Sequence, residues 1–213
     1  MMTVTNYPNN QQLTSSALTP GQISTIIQTL TYGMLGLPTP PPSSWQPVQV
    51  AWQVTGQPFV QNPQQNVCYV SCVLEDEPYT KIRDMANSGL GTTEAPQTQT
   101  WEYTRCWRVA WCFYGPNATD SARQVHTSTY ADYFNNALAQ SALYPVSEPP
   151  QPTRAPEEIN AQWYERADFS ILMYEQVNDT LVQLPSGGVV ESVEIKLYDG
   201  SADDPVADFT VTT

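Results

Sequence analysis

The sequence is poor in charged residues, and above all in basic ones. Charged side chains make up 14% of the 213 residues, and 8 lysines and arginines stand against 21 aspartates and glutamates, a formal net charge of −13. This balance argues against a basic nucleic-acid-binding surface, because an acidic surface repels the phosphate backbone. The charge identifies no function by itself, since many soluble proteins are acidic.

Long apolar runs are missing as well. No stretch approaches the length of a membrane span, and the N-terminus has no basic segment followed by an apolar one. We therefore expect a chain that is made and kept in a cytoplasm until it assembles, with no membrane partner.

Motifs for catalysis are also missing. The sequence has no glycine-rich phosphate loop, no nucleophile elbow and no His/Glu pair at metal-binding spacing. Its single histidine, His126, has no acidic residue four positions further along the predicted helix, so we expect a surface or semi-buried helix residue rather than a general base. The prediction is a protein that is not an enzyme, with no catalytic residue, cofactor or metal.

The cysteines do not have zinc-ribbon spacing. Cys68, Cys72, Cys106 and Cys112 fall into pairs, and neither pair is separated by two residues. We interpret them as free thiols packed as small core hydrophobes. A disulfide is disfavoured in a reducing compartment, and a metal site is the least favoured reading.

The residues that are present predict an α+β fold with a mostly antiparallel sheet, packed by one long and one short helix. We expect an extended N-terminal arm over 1–20, a single domain over 21–199 and a C-terminal tail or short strand over 200–213. The predicted helices cover 20–32 and 118–143, and the predicted strands cover 47–54, 67–74, 100–114, 160–176 and 189–199, with a long connection over 75–99. The turn at 185–188 predicts that the last two strands pair as a hairpin.

The strand over 100–114 has the strongest pattern, with Trp101, Trp107 and Trp111 on one face. These tryptophans are expected in the core, and the alternative is an exposed platform on which sugars would stack. Gly115-Pro116 ends the strand, and Asn117 is expected to cap the following helix.

A second strand separates charge from apolar side chains. From Trp163 onward, Ala167, Phe169, Ile171 and Met173 fall on one face, and Arg166 and Asp168 fall on the other. Arg166 and Asp168 are expected to pair with each other or with Arg108 or Glu102 on a neighbouring strand, or to meet a second subunit at an interface.

These segments, in this order, resemble the phage neck terminator family, also described as tail terminator or tail-completion proteins. The likeness spans 101–199: an aromatic strand ending in Tyr114-Gly115-Pro116, Ala118 and Ala122 at the start of a helix, a proline-rich loop, and then Trp163–Asp168. The resemblance implies a tail-terminator-like fold and a virion structural protein with no catalytic residues.

Such proteins form a ring, expected to be hexameric, that caps the tail tube and joins it to the head-side connector. The implied partners are other copies of the chain, the tail tube protein, a head-completion or connector protein, and a tail sheath if the tail is contractile. DNA would pass through the lumen without specific binding. The interface candidates are Trp163, Arg166 and Asp168, with the loops 57–65 and 75–99. The alternatives are another virion part, such as a head-closure or baseplate protein, or a ligand- or carbohydrate-binding module.

Overall fold

A computed structural model describes residues 3–7, 11–50, 62, 64–88, 97–146, 148–159, 161–183, 192–197 and 207–212. The helices in these ranges are α1 (Pro20–Met34), α2 (Ala118–Ser128) and α3 (Asp132–Ala139), with a short 3-10 helix at Pro78–Lys81. The strands are β1 (Thr3–Tyr7), β2 (Gln11–Ser15), β3 (Gln49–Val50), β4 (Val67–Glu75), β5 (Arg83–Ser88), β6 (Gln97–Tyr114), β7 (Leu143–Pro145), β8 (Thr153–Arg154), β9 (Glu157–Ile159), β10 (Gln162–Tyr164), β11 (Arg166–Gln183), β12 (Ser192–Leu197) and β13 (Ala207–Thr212).

The chain divides into two compact units. The first comprises Ser16–Asp84 and Trp101–Asn178, and the second comprises Thr3–Ser15, Met85–Thr100 and Asp179–Thr213. The long strands β6 and β11 contribute residues to both units. Where pairing is described, the strands are antiparallel except that β3 runs parallel to β4, so the predicted α+β class with a mostly antiparallel sheet is confirmed. The boundaries predicted for the arm, the domain and the tail remain predictions.

In the first unit the strand order is β11-β6-β4-β3, and β7 and β8 pair with β11. The core lies on the aromatic face of β6, where Trp107 and Trp111 are buried, so the exposed sugar platform is wrong. Trp111 stacks on Phe169 with ring centroids 5.4 Å apart, and its indole nitrogen donates to Thr31 Oγ1 of α1 at 2.8 Å. The face predicted for β11 is buried too, and consists of Ala167, Phe169, Ile171 and Met173.

The first unit also contains a buried charge. Glu175 of β11 is 1% exposed, and its Oε2 accepts hydrogen bonds from Arg105 Nε (2.9 Å) and Nη2 (2.6 Å) and from Trp107 Nε1 (2.7 Å). Its Oε1 accepts from the backbone N–H of Leu18 at 2.6 Å, and Arg105 Nη2 donates to the Leu18 carbonyl at 2.6 Å. The carboxylate therefore joins two strands of the sheet to the segment that leads into α1.

The start of α1 follows the sequence prediction. Thr19 forms a capping box with Gln22, because Gln22 N–H donates to Thr19 Oγ1 and Thr19 N–H donates to Gln22 Oε1. Pro20 occupies the first turn, where no intrahelical donor is required. The helix runs slightly beyond the predicted end, to Met34, and buries Ile23 and Ile27.

The predicted helix over 118–143 is wrong as a single element, because it breaks between Ser128 and Asp132 into α2 and α3. Val125 and Phe134 are both buried, yet nine residues of continuous helix would turn them to opposite sides. The chain ends α2 at Thr129, passes through extended backbone at Ala131, and starts again so that both apolar stripes meet the core.

The predicted strand over 160–176 is also divided. β9 and β10 form their own two-stranded ladder, with Trp163 opposite Glu158, and β11 begins only at Arg166. Ala161, in the tight turn of this hairpin, has a positive φ of 60°. The sequence between the two strands contains no glycine or proline, and its one turn signal, Asn160, is weak beside the strand pattern around it.

In the second unit β2 pairs with both β1 and the far end of β11, so the residues predicted as an extended arm contain a hairpin. Ser15 Oγ donates to Asp179 Oδ1 at 2.5 Å across this ladder. The predicted hairpin between the last long strands is wrong, because β12 pairs with β13. In the strand order β2-β11-β6, β11 has a neighbour on each edge, so β12 forms a separate two-stranded sheet with β13. The turn predicted at 185–188 lies outside the described residues.

The corner between β6 and α2 depends on Gly115. Its φ is 111°, and a Cβ there would lie 2.5 Å from Gln65 O and 2.8 Å from Asn66 Cα. Asn117 does not cap α2 with its own side chain, contrary to the prediction. The buried Asn66 side chain serves instead, because its Oδ1 accepts from Asn117 N–H at 2.9 Å.

Replacing Gly115 by alanine should destabilise the fold by more than about 2 kcal/mol, because the new Cβ meets backbone atoms and the residue must keep a left-handed φ. The matched control is Gly33→Ala in α1, where a Cβ meets nothing within 4 Å; this change should stabilise the protein by about 0.5–1 kcal/mol. Urea unfolding followed by circular dichroism measures both. Equal midpoints for the two variants would contradict the account of the corner.

Candidate interface site

The structure brings two of the predicted interface residues together and separates the third. Arg166 and Asp168 lie on β11 and form a two-pronged pair, with Arg166 Nε 2.9 Å from Asp168 Oδ1 and Nη2 2.9 Å from Oδ2. Of the pairings considered for them, the pair with each other is the one present. Arg108 instead donates to Glu75 Oε1 at 2.6 Å, which raises the pKa of the arginine. Trp163 lies on β10 in the neighbouring hairpin.

Glu157 of β9 completes the charged cluster. Its Oε2 accepts from Arg166 Nη1 at 2.8 Å and from the Tyr114 hydroxyl at 2.6 Å, so one carboxylate joins β6, β9 and β11. The Arg166 guanidinium also lies 5.6 Å from the centre of the Tyr114 ring, within the range of a cation–π contact. We call Tyr114, Glu157, Arg166 and Asp168 the β11 charge cluster.

The pKa values of Glu157, Tyr114 and Arg166 are each shifted for a local reason. The hydrogen bonds from Tyr114 and then from Arg166 lower the pKa of Glu157. Burial, followed by the bond to Glu157, raises the pKa of Tyr114. The bond to Asp168 raises the pKa of Arg166. The Glu157 carboxylate and the Arg166 guanidinium therefore stay charged at neutral pH.

A second ion pair supports the same hairpin. Arg154 of β8 donates through Nε to Glu165 Oε1 at 2.6 Å, and Glu165 is the single residue between β10 and β11. The Glu165 carbonyl accepts from Gly115 N–H at 3.1 Å, so the hairpin is also tied to the corner after β6. These contacts hold the base of the hairpin at a defined place.

Trp163 projects from this supported hairpin and is 68% exposed. A tryptophan usually buries a large apolar area, so an indole left in water on a fixed element is a contact available to a partner. The prediction that Trp163, Arg166 and Asp168 form an interface is not tested by the structure of a single chain. Of the other candidate segments, most of loop 57–65 and residues 89–96 of loop 75–99 lie outside the described residues.

The sequence analysis missed Glu157 and Tyr114 as partners of Arg166. Glu157 follows a proline-rich stretch and resembled loop charge, and Tyr114 is the last residue of a strand far away in sequence. Only the pairing of the folded strands brings these side chains to Arg166.

The cysteines are free, as predicted, and Cys68, Cys72 and Cys106 are buried. Burial raises the pKa of Cys72 to about 11. Cys112 lies beside the β11 charge cluster, where burial and then its hydrogen bond to Asp168 raise its pKa to about 12. These thiols are therefore protonated at neutral pH and are poor nucleophiles.

His126 of α2 is buried, deeper than the surface or semi-buried position predicted for it, and packs edge-to-face against Phe169, with ring centroids 5.3 Å apart. Within the described residues, no group of three or more His, Cys, Asp or Glu side chains could hold a metal ion. No helix in the same part of the chain is long and apolar enough to cross a membrane.

Comparison with known proteins adds one match. A family model described as phage neck terminator protein matches residues 21–200, which is most of the chain. No match is found among curated proteins.

Acid should release the hairpin that carries Trp163. Because the Tyr114 and Arg166 hydrogen bonds lower the folded pKa of Glu157, its contribution to stability is present above its unfolded pKa and is lost as the pH falls through the folded pKa. The indole N–H signal of Trp163 in an NMR pH titration reports this step. Glu157→Gln should abolish it, whereas Glu102→Gln, at an exposed position of β6 outside the hairpin, should preserve it; a step that survives in the Glu157 variant would contradict this assignment.

Proposed function

Because the chain belongs to the phage neck terminator family, we propose that it is the subunit of a hexameric ring that caps the tail tube and joins it to the head-side connector. Membership makes the protein a structural component of the phage neck or tail, and hence of the virion. The ring, its copy number and its named neighbours go beyond membership and are the content of the proposal.

The observation that carries the proposal is Trp163 on its fixed hairpin. Interface energy is concentrated in a few residues, with tryptophan and arginine most enriched, and rigid presentation reduces the entropy lost on binding. Trp163 is exposed, while Arg166 beneath the hairpin is held by two carboxylates. We expect Trp163 to fill a pocket on the adjacent subunit, with the β11 charge cluster at the rim fixing the register between subunits.

The charge of the chain fits the task of a DNA conduit. Each subunit has a formal net charge of −13, so a ring of subunits would present a strongly negative field to DNA in its lumen. DNA would pass without specific binding. The other partners in this proposal are the tail tube protein, a head-completion or connector protein, and a tail sheath where the tail is contractile; assembly would take place in the host cytoplasm.

Replacing Trp163 by alanine should weaken ring assembly by about thirtyfold or more, the effect of losing a hot-spot residue worth about 2 kcal/mol. Mass photometry and negative-stain electron microscopy measure assembly of the purified protein, alone and with tail tubes. Tyr133→Ala removes another exposed aromatic residue, on α3, and should leave assembly unchanged. Thermal unfolding of both variants should match the unmodified protein.

Two outcomes would contradict the proposal. One is a protein that stays monomeric in the presence and absence of tail tubes. The other is labelled subunit located at the distal end of the tail in virion micrographs, which would favour a baseplate component. If Trp163→Ala assembles as well as the unmodified protein, the ring remains the proposal, but Trp163 does not contribute to its interface.

A further inference from the structure

We propose that a groove beside the α2–α3 break binds a basic side chain of a partner protein. The groove has a volume of about 520 Å³, and its lining includes Tyr130, Asn135, Tyr144, Val146, Glu148 and Ile171. We call it the Asn135 groove. It does not involve the hairpin of Trp163, and the inference does not depend on ring formation.

The groove contains an unsatisfied acceptor. Asn135 Oδ1 is buried and accepts no hydrogen bond, the one such side-chain atom among the described residues. A buried carbonyl oxygen without a donor is costly, because it has lost its contact with water and gained nothing in return. Oδ1 has almost no accessible surface in the empty groove, so an occupant that brings an N–H donor would remove that cost once the Asn135 amide turns toward it.

The walls of the groove suit an alkyl chain lying between aromatic rings. Val146 and Ile171 supply aliphatic surface, and the tyrosines 130 and 144 are each about half exposed. Tyrosine is enriched in protein interfaces, since it offers a large rigid ring with a polar tip. The stem of a long basic side chain is apolar and packs on such surfaces while its charged end reaches polar atoms.

The groove also has a carboxylate at its exposed rim. Glu148 forms no hydrogen bond or ion pair with other described residues, and its backbone is left-handed with φ 66°. A residue other than glycine is strained in this conformation, and no hydrogen bond or ion pair to another described residue offsets the strain at Glu148. A strained, exposed carboxylate that pairs with none of the described cations is what a groove for a cation would retain.

These features together select the occupant. A neutral donor would form a hydrogen bond to Asn135 but would not pair with the charge of Glu148. An apolar side chain would do neither. Arginine supplies several N–H donors, a positive charge and an apolar stem, so charge complementarity favours it.

A second copy of this chain is a poor source for that side chain. Its arginines are mostly occupied: Arg105, Arg108, Arg154 and Arg166 pair with carboxylates of the same chain, and Arg83 lies over the ring of Tyr103. With 8 lysines and arginines in all, the chain has few cations left to offer. Arg123 of α2 is exposed and is the arginine that these contacts do not use. A different, more basic protein supplies such side chains in greater number, so we assign the occupant to it, and the test below separates it from a second copy.

Binding of N-acetyl-arginine methylamide tests the assignment, with the N-acetyl-citrulline and N-acetyl-norleucine methylamides as uncharged controls. Side-chain amide signals of Asn135 are followed by NMR during titration of the full-length protein at low salt. We expect the arginine compound to bind about three to five times more tightly than the citrulline compound, as for an exposed ion pair. That preference should shrink as salt is raised.

Glu148→Gly separates this role from a structural one. Glycine relieves the left-handed strain, so the melting temperature should rise, while the preference for arginine over citrulline should disappear. Glu158→Gln removes a carboxylate outside the groove lining and should change neither quantity.

Several results would overturn the assignment. Equal binding of the arginine and citrulline compounds to the unmodified protein is one, and retention of the preference in Glu148→Gly is another. Signals that shift away from the groove while those of Asn135 stay fixed would also overturn it. Asn135 signals that move with protein concentration alone would place a second copy in the groove instead.

Discussion

The buried carboxylate of Glu175 is the constraint on which the first unit depends. An ionised group away from water is tolerated only when charge and hydrogen bonds compensate it, and the unrelieved penalty is several kcal/mol. Glu175 obtains that compensation from Arg105, Trp107 and the backbone of Leu18. All of these groups must be in place at once. The carboxylate therefore fixes how β6 faces β11 and where the chain enters α1.

This constraint specifies the fold more than it stabilises it. A well-packed apolar group at the same place would often be as stable as the ion pair, so the net gain from the pair is small. An apolar group, however, makes no directional contacts, whereas all the hydrogen bonds of Glu175 depend on the alignment observed. Once that alignment is set, Trp111 stacks on Phe169 and reaches Thr31 of α1, which closes the core.

The same strand carries a second, different set of charges. At the N-terminal end of β11, Arg166 and Asp168 point away from the core, because side chains alternate along a strand and Ala167 and Phe169 face the core. There the ion pairs are partly exposed, so salt screens them and each is worth little to stability. The buried pair therefore sets register within the chain, and in the proposed ring the exposed cluster would set it between chains.

Local sequence patterns predicted the main strands of the first unit and the start of α1, but not which distant segments pair. The alternation of apolar residues in β6 and β11 predicted which faces are buried, and Thr19-Pro20 predicted the start of α1, because period and capping are properties of neighbouring residues. The Asn135 groove lies beside the break between α2 and α3. The only sequence feature that indicated this break was the imperfect apolar stripe of the predicted helix.

The partners of the site could not be predicted, since contacts such as Glu157 to Arg166 and Asn66 to Asn117 join separate segments. What the sequence did contain was the scarcity of cations. Most of the arginines are used inside the chain, so its described surfaces can offer other proteins aromatic rings and carboxylates, with little positive charge. Surfaces of that kind favour basic partners and repel DNA. Both preferences follow from the small number of lysines and arginines in the sequence.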